Sequence, residues 1–225
     1  MTSDEIREIT VKSGADRCGI APVERFKDAP SGFNPVDIYD KSQSVIVFLK
    51  QMPNEIIMAS NPIPYSATSY MLYNELDVIG LHLCRELEKR GHHAIPVPAD
   101  TPYLYWDESI KRGQGILSLR HAAYHAGLGF LGRSNLLINR DLGNMVYIGA
   151  VLSDLELDPD PIVDDLNCPD NCTICIDSCP QSALDGTTVD QKICREVSFY
   201  KNERGFDIYD CNLCRKLCPL RTGAS

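Results

Sequence analysis

The chain has 225 residues and a net charge of −9 at neutral pH, with a sequence pI near 5.0 and 44% hydrophobic residues. That length supports one substantial core with a small appendage. The acidic balance argues against a broad nucleic-acid footprint, which calls for a basic face.

No apolar run approaches the roughly 18 residues of a membrane-spanning helix. Neither a basic n-region nor an apolar export segment opens the chain, so a cytoplasmic protein with no membrane partner is expected. Thr2 and Glu5 form a capping box for an early helix bearing Ile6, Ile9 and Val11, which Gly14 closes. Cys18-Gly-Ile-Ala-Pro22 reads as a short strand. Ser44-Val-Ile-Val-Phe-Leu49 is apolar on both faces, as in a buried strand. Residues 53–64, with prolines at 53, 62 and 64, read as a loop. Leu72, Leu76, Ile79, Leu83 and Leu87 repeat at helical spacing and predict a long helix over 66–90, capped by Gly91.

Ala94-Ile-Pro-Val is a further short strand. Residues 99–115, with Asp100, Tyr105, Trp106 and Asp107, have no period, and so long a loop within a compact unit is often functional. Residues 116–126 predict a helix, and 144–152 predict another buried strand. Helices alternating with apolar strands imply a layered α/β (α+β) unit. Seven acids and no base lie between Asp154 and Asp170, with prolines at 159 and 161, and mark a linker.

Eight of the ten cysteines follow that linker, in two runs that each end in Cys-Pro. The first is Cys168, Cys172, Cys175, Cys179-Pro180; the second is Cys211, Cys214, Cys218-Pro219, with Cys194 between the runs. Eight thiolates suit two 4Fe–4S clusters, and in the bacterial ferredoxin run the last cysteine ligates the other cluster. That swap assigns Cys168, Cys172, Cys175 and Cys218 to one cluster, and Cys211, Cys214, Cys194 and Cys179 to the other. Zinc and disulfides are the rivals. Zinc does not call for proline after each run, and disulfides do not suit a reducing compartment. Cys168 and Cys172 stand one residue farther apart than the ferredoxin spacing. Cys18 and Cys84 lie in apolar surroundings and read as small buried hydrophobes.

Gly127-Leu-Gly-Phe-Leu-Gly132 has dinucleotide-fingerprint spacing but follows a helix, whereas that fingerprint follows a strand. Its glycines bring backbone close to another surface. The stretch from Ala126 through Gly143, then Leu152-Ser-Asp-Leu-Glu-Leu157, resembles the core signature of epoxyqueuosine reductases, relatives of the corrinoid reductive dehalogenases. Tyr209-Asp-Cys-Asn-Leu-Cys-Arg-Lys-Leu-Cys-Pro219 and Arg195 after Cys194 resemble that family's second cysteine run.

The resemblance implies a nitroreductase-like layered domain over 1–162 and a small ferredoxin-like double-cluster domain over 163–225. It implies a cobalamin held near Gly127, Gly129, Gly132, Arg133, Ser134 and Asn135, fed with electrons through the clusters. The same stretch also reads as a packing turn. A low-potential donor such as ferredoxin or flavodoxin would be the redox partner, and the oligomeric state is left open, a homodimer included.

Two departures shape the expected substrate. Gly113 stands where the family has its proton-donating aspartate, and the chain stops at Ser225 without the family's tRNA-binding repeats. With the acidic charge, these lead to an expected small-molecule or cofactor substrate, with neither epoxyqueuosine nor a nucleic acid as partner. Tyr70, Tyr105 and His121, with Asp100 and Asp107, are the candidate proton donors. His121 and His125 share a helical face, with no third metal ligand evident. The rival functions are a cluster-only electron carrier and a reductase with FMN in the same pocket.

Overall fold

The computed structural model describes residues 1–102, 105–109 and 112–224; Ser225 lies outside them. Helix α1 (Ser3–Lys12) starts as its spacing requires: Glu5 N donates to Thr2 Oγ1 at 3.2 Å, and Thr2 N donates to the Glu5 carboxylate at 2.7 Å. Strand β1 (Arg17–Pro22), a single-turn helix α2 (Pro35–Ile38) and strand β2 (Ser44–Gln51) follow. The long helix α3 (Pro62–Glu88) leads to β3 (Ala94–Val97), then to a hairpin of β4 (Tyr105–Asp107) and β5 (Arg112–Gln114). Helix α4 (Leu119–His125) and the two-residue strands β6 (Phe130–Leu131) and β7 (Leu137–Ile138) precede β8 (Val146–Ser153). The cysteine-bearing segment holds α5 (Ile174–Asp177), α6 (Gln191–Ser198), the hairpin β9 (Phe199–Lys201) with β10 (Asp207–Tyr209), and α7 (Leu213–Lys216).

The central sheet runs β1-β2-β8-β3 with every neighbour antiparallel. Its fold class is mixed α/β. Alternation along β2 explains why that strand is apolar throughout. Ile46 and Phe48 join the core under α1 and α3 with Ile6, Leu76, Ile79 and Leu83. Val45, Val47 and Leu49 join the opposite core under α4 with Ala122, Ala123 and Ala126. The Phe48 ring fills the place of a side chain at Gly149 on β8, where an added Cβ would stand 2.4 Å from it.

Three local expectations change. The stretch expected as loop to residue 64 contributes the first turn of α3, because Asn61 accepts from Ile63 N at 2.9 Å and proline suits the first helical position. Helix α4 is shorter than the apolar pattern of 116–126, beginning only after Ser118. The aperiodic stretch 99–115 contains the β4–β5 hairpin, with Trp106 opposite Gly113.

The acidic linker is strapped to the body. Leu155 and Leu157 are buried in the core under α3. Asp160 accepts from Ile20 N at 2.8 Å and pairs with Arg7 at 3.0 Å, both carboxylate oxygens being engaged. Among the described residues no helix is long and apolar enough to cross a membrane. Replacing Asp160 by Ala removes a charged acceptor from a half-buried backbone donor and a guanidinium. It is expected to cost about 2 kcal/mol in denaturant unfolding, whereas exposed Asp158→Ala leaves the midpoint unchanged.

Candidate functional site

The two Cys-Pro runs fold so that cysteines distant in sequence meet. Cys168, Cys172, Cys175 and Cys218 line one small cleft with Arg133, Ser134, Ile138, Pro169, Pro219 and Leu220. All ten cysteines are free thiols. Burial pushes the Cys175 thiol up, and the nearby Cys168 and Cys172 add to it. Burial likewise raises Cys218, opposed by the Leu220 backbone, with Cys168, Cys175 and Cys172 as its charged neighbours. The extra residue between Cys168 and Cys172 is absorbed by a turn in which Asn171 takes φ 55° and Cys172 N donates to Pro169 O at 3.0 Å.

A second group forms around Cys214. Burial pushes its thiol up to about 11; Arg215 opposes this, while Cys194, Cys211 and Cys175 reinforce it. Cys179, the expected fourth member, accepts from Ala183 N at 3.2 Å, and its place in this group rests on the sequence spacing. Among the described residues no three His, Cys, Asp or Glu side chains converge as ligands of a single metal ion. A cubane takes one thiolate at each iron corner, so its four sulfurs stand farther apart than the ligands of one ion.

The glycine turn divides into two parts. An added Cβ at Gly127 would stand 2.2 Å from Pro161 O, and one at Gly129 would stand 2.2 Å from Ile138 O. Those two glycines admit this chain's own backbone. Gly132 brings the turn against the cysteines: its Cβ would lie 3.6 Å from Cys168 Sγ. Arg133 N donates to that sulfur at 3.4 Å, and Arg133 Nη1 donates to Cys172 O at 2.8 Å. Ser134 lines the same cleft. Asn135 takes φ 61° and is buried, its Nδ2 without a partner among the described residues.

Open space lies elsewhere. A cavity of about 560 Å³ is bounded by Tyr70, Asp100, Trp106, Glu108, Arg195 and Tyr209, among others. A second of about 500 Å³ adjoins it, and Tyr70 and Asp207 line both. These cavities sit between the start of α3, the β4–β5 hairpin and the β9–β10 hairpin, next to Cys194 and Cys211 in sequence. Trp106 Nε1 donates to the Glu108 carboxylate at 2.5 Å, and the Arg195 guanidinium lies 5.5 Å from the Trp106 ring centre and 5.6 Å from that of Phe199.

Of the candidate proton donors, Asp100 lines this space and so does Tyr70. Its hydroxyl donates to Asp207 O at 3.2 Å, and burial, then Asp207 and Asp100, raise its pKa. Tyr105 is exposed, 6.1 Å from the Phe33 ring. His121 sits on α4 with Nδ1 2.7 Å from Ser118 Oγ, its pKa lowered by burial and then by Arg120. The signal for this cavity was present as aromatic residues in two stretches of no clear period, but nothing in one dimension joins 100–108 to 195–209.

No protein-family model matches the chain. The epoxyqueuosine reductase of Staphylococcus aureus is 38% identical over 122 residues, covering 48% of this chain and 31% of that protein. The epoxyqueuosine reductase of Leadbetterella byssophila is 24% identical and covers 99% of this chain and 80% of its own length. Among solved structures, an epoxyqueuosine reductase from Streptococcus thermophilus superposes with a TM-score of 0.69 at 20% identity, over 98% of this chain and 66% of that one. A catabolic reductive dehalogenase in complex with 3-bromo-4-hydroxybenzoic acid superposes with 0.62 at 17% identity, over 93% and 27%. These likenesses support membership in the superfamily of epoxyqueuosine reductases and corrinoid reductive dehalogenases. The chain spans under a third of the Staphylococcus member.

Within this superfamily the expected exclusion of epoxyqueuosine and of a nucleic-acid partner does not stand. The curated relatives carry the name epoxyqueuosine reductase, one across 99% of this chain. A structure of the same fold, TM-score 0.65 at 18% identity over 98% of this chain and 65% of that one, contains an epoxyqueuosine-modified tRNA stem loop. The physical reasons are local. Net charge is a sum dominated by exposed acids such as those of the linker, while Arg195 and Lys201 border the cavity. Gly113 removes one carboxylate, yet Asp100, Glu108 and Asp207 remain around the same space.

Gly127→Ala distinguishes a packing turn from a cofactor contact. With φ at +69° and Pro161 O in the way, it is expected to destabilise the metal-free chain by at least about 1–2 kcal/mol. Chemical unfolding without added cofactor measures this, and a loss seen only with cofactor bound contradicts it.

Proposed function

We propose that this chain is an epoxyqueuosine-reductase-type enzyme that reduces an epoxide in a modified tRNA nucleoside, using two 4Fe–4S clusters and a corrinoid. The observation that carries the reading is the meeting of Cys168, Cys172, Cys175 and Cys218 in one cleft, from two separate runs, within the fold of this superfamily. Residues 1–162 would form the nitroreductase-like domain and 163–225 the ferredoxin-like domain. A cytoplasmic setting with a low-potential one-electron donor, such as a ferredoxin or flavodoxin, follows from the same chemistry.

The residues present fit both groups. Free thiols at Cys168, Cys172, Cys175 and Cys218 would hold one cluster, and Cys194, Cys211 and Cys214 with Cys179 the other. The adjoining cavities, of about 500 and 560 Å³, favour a corrinoid site over a cluster-only carrier. When bound, the clusters supply one-electron transfer and the corrinoid supplies the low-potential reduction of a carbon–oxygen bond.

The chain's own part is binding, exclusion of water and delivery of protons. Reduction of an epoxide to an alkene consumes two electrons and two protons and releases the oxygen as water. Tyr70, kept protonated by its raised pKa, is positioned to give a proton into the cavity. Trp106, Phe199 and Tyr209 narrow the space around it, and Arg195 offers positive charge to an anionic substrate, Lys201 being paired with Asp207 at 2.6 Å.

Anaerobic reconstitution followed by assay with an epoxyqueuosine-bearing tRNA stem loop tests the reading. The expected result is loss of one oxygen from the nucleoside by mass spectrometry, dependent on corrinoid and reductant. Lack of turnover under conditions in which an established epoxyqueuosine reductase works overturns it. Cys218→Ala is expected to lower bound iron from about eight to about four per chain, whereas Cys84→Ala leaves iron unchanged. Tyr70→Phe is expected to reduce turnover by about 10²-fold with iron content intact.

A further inference from the structure

Arg215 is a half-buried cation with no carboxylate at ion-pair distance among the described residues. It follows Cys214, and its guanidinium lies 5.4 Å from the ring centre of Tyr147, itself buried. Nη1 donates to Asn144 O, and Asn144 Nδ2 returns a bond to Arg215 O at 3.2 Å. Burial works against its charge, while Tyr65, Tyr147, Tyr73 and Cys214 favour it. Among the described residues, no Asp or Glu lies within ion-pair distance of it; the ion pairs there involve other cations. A charge taken from water without an opposite charge costs several kcal/mol, and neutral tyrosines do not offset that. The source of negative charge next to it along α7 is the second cysteine group, through Cys214.

We infer that Arg215 is the counter-charge of the cluster on Cys194, Cys211 and Cys214, and that it raises the reduction potential of that cluster above what the cysteines alone would set. This rests on the cluster reading above. A 4Fe–4S core with four thiolates carries two negative charges when oxidised and three when reduced. The reduction adds one electron from a low-potential one-electron donor; no bond breaks and no proton moves. A fixed cation next to the cluster stabilises the more negative state more, by Coulomb attraction in a poorly screened setting. Arg215 thereby makes the second cluster the easier of the two to fill from a given donor, and acts as a positioning residue on charge rather than touching substrate.

The test is a spectroscopic redox titration of anaerobically reconstituted wild type, Arg215→Gln and Arg215→Lys, with iron and sulfide counted first. In Arg215→Gln one of the two reduction steps is expected to move down, so that the ratio of reduced to oxidised cluster at fixed donor potential falls about tenfold, or about 59 mV for a one-electron couple. The other step stays in place, and Arg215→Lys, which keeps the charge, stays near wild type. Unchanged potentials in Arg215→Gln overturn the inference. So does an equal shift or equal cluster loss in both variants, since that would mean a role for the shape of the side chain and not its charge. Loss of one cluster in Arg215→Gln, with retention and a wild-type potential in Arg215→Lys, supports it. Wild type that takes up no iron or sulfide instead removes the cluster reading itself, with this inference following it.

Discussion

Two reciprocal hydrogen-bond pairs fasten the cysteine-bearing segment to the α/β body, and the placing of both cysteine groups depends on them. Ser66, in the first turn of α3, donates to Tyr209 O at 3.0 Å and accepts from Tyr209 N at 2.8 Å. Asn144, just before β8, exchanges bonds with Arg215. Each pair satisfies main-chain groups that sit one or two residues from a cysteine of the second run. The segment has few buried apolar residues of its own, chiefly Cys175, Ala183, Leu184 and Ile208. Its orientation therefore comes from directional bonds to a rigid neighbour, and its internal order would come from bound metal.

The same economy of apolar core appears where backbone meets backbone. At Gly143 an added Cβ would stand 2.0 Å from Arg221 O, and at Gly132 it would meet Ile138 before Cys168. Ala224 N donates to Arg140 O at 2.8 Å, and Arg140 pairs with Asp165 at 2.6 Å. The chain past the last cysteine thus lies across the turn that follows β7, and the acidic linker returns to a base on that same turn. The first cysteine cleft is closed by contacts from three separate stretches of sequence.

Charge is distributed unevenly with respect to these contacts. The linker acids are either spent on Arg7 and Arg140 or face solvent, so they dominate the net charge without describing the site. Arg133 and Arg215 instead lie against the first and second cysteine groups, and Arg195 lies over Trp106 at the cavity. An acidic protein thus sets single bases against each cysteine group.

Much of the fold was legible along the chain because its signals are local. The capping box at Thr2, the heptad-like leucines of α3 and the two-faced apolar runs of β2 and β8 depend on neighbours within one element. So did the two Cys-Pro runs, whose spacing is itself local, and the family resemblance carried by the Ala126–Gly143 and 209–219 motifs. What the chain alone could not decide is which surfaces meet. The helix start at Pro62 depended on Asn61 as a cap, and the hairpin at Trp106 on pairing with Gly113. The cavity joins three stretches more than 90 positions apart between Asp100 and Arg195, and Gly127 and Gly129 proved to face Pro161 and Ile138. Local periodicity determined the elements and the spacing of the cysteines; only long-range packing decided that a cavity lies by Tyr70 and Arg195, and that Arg215, next to Cys214, meets Asn144 and Tyr147 with no carboxylate at ion-pair distance among the described residues.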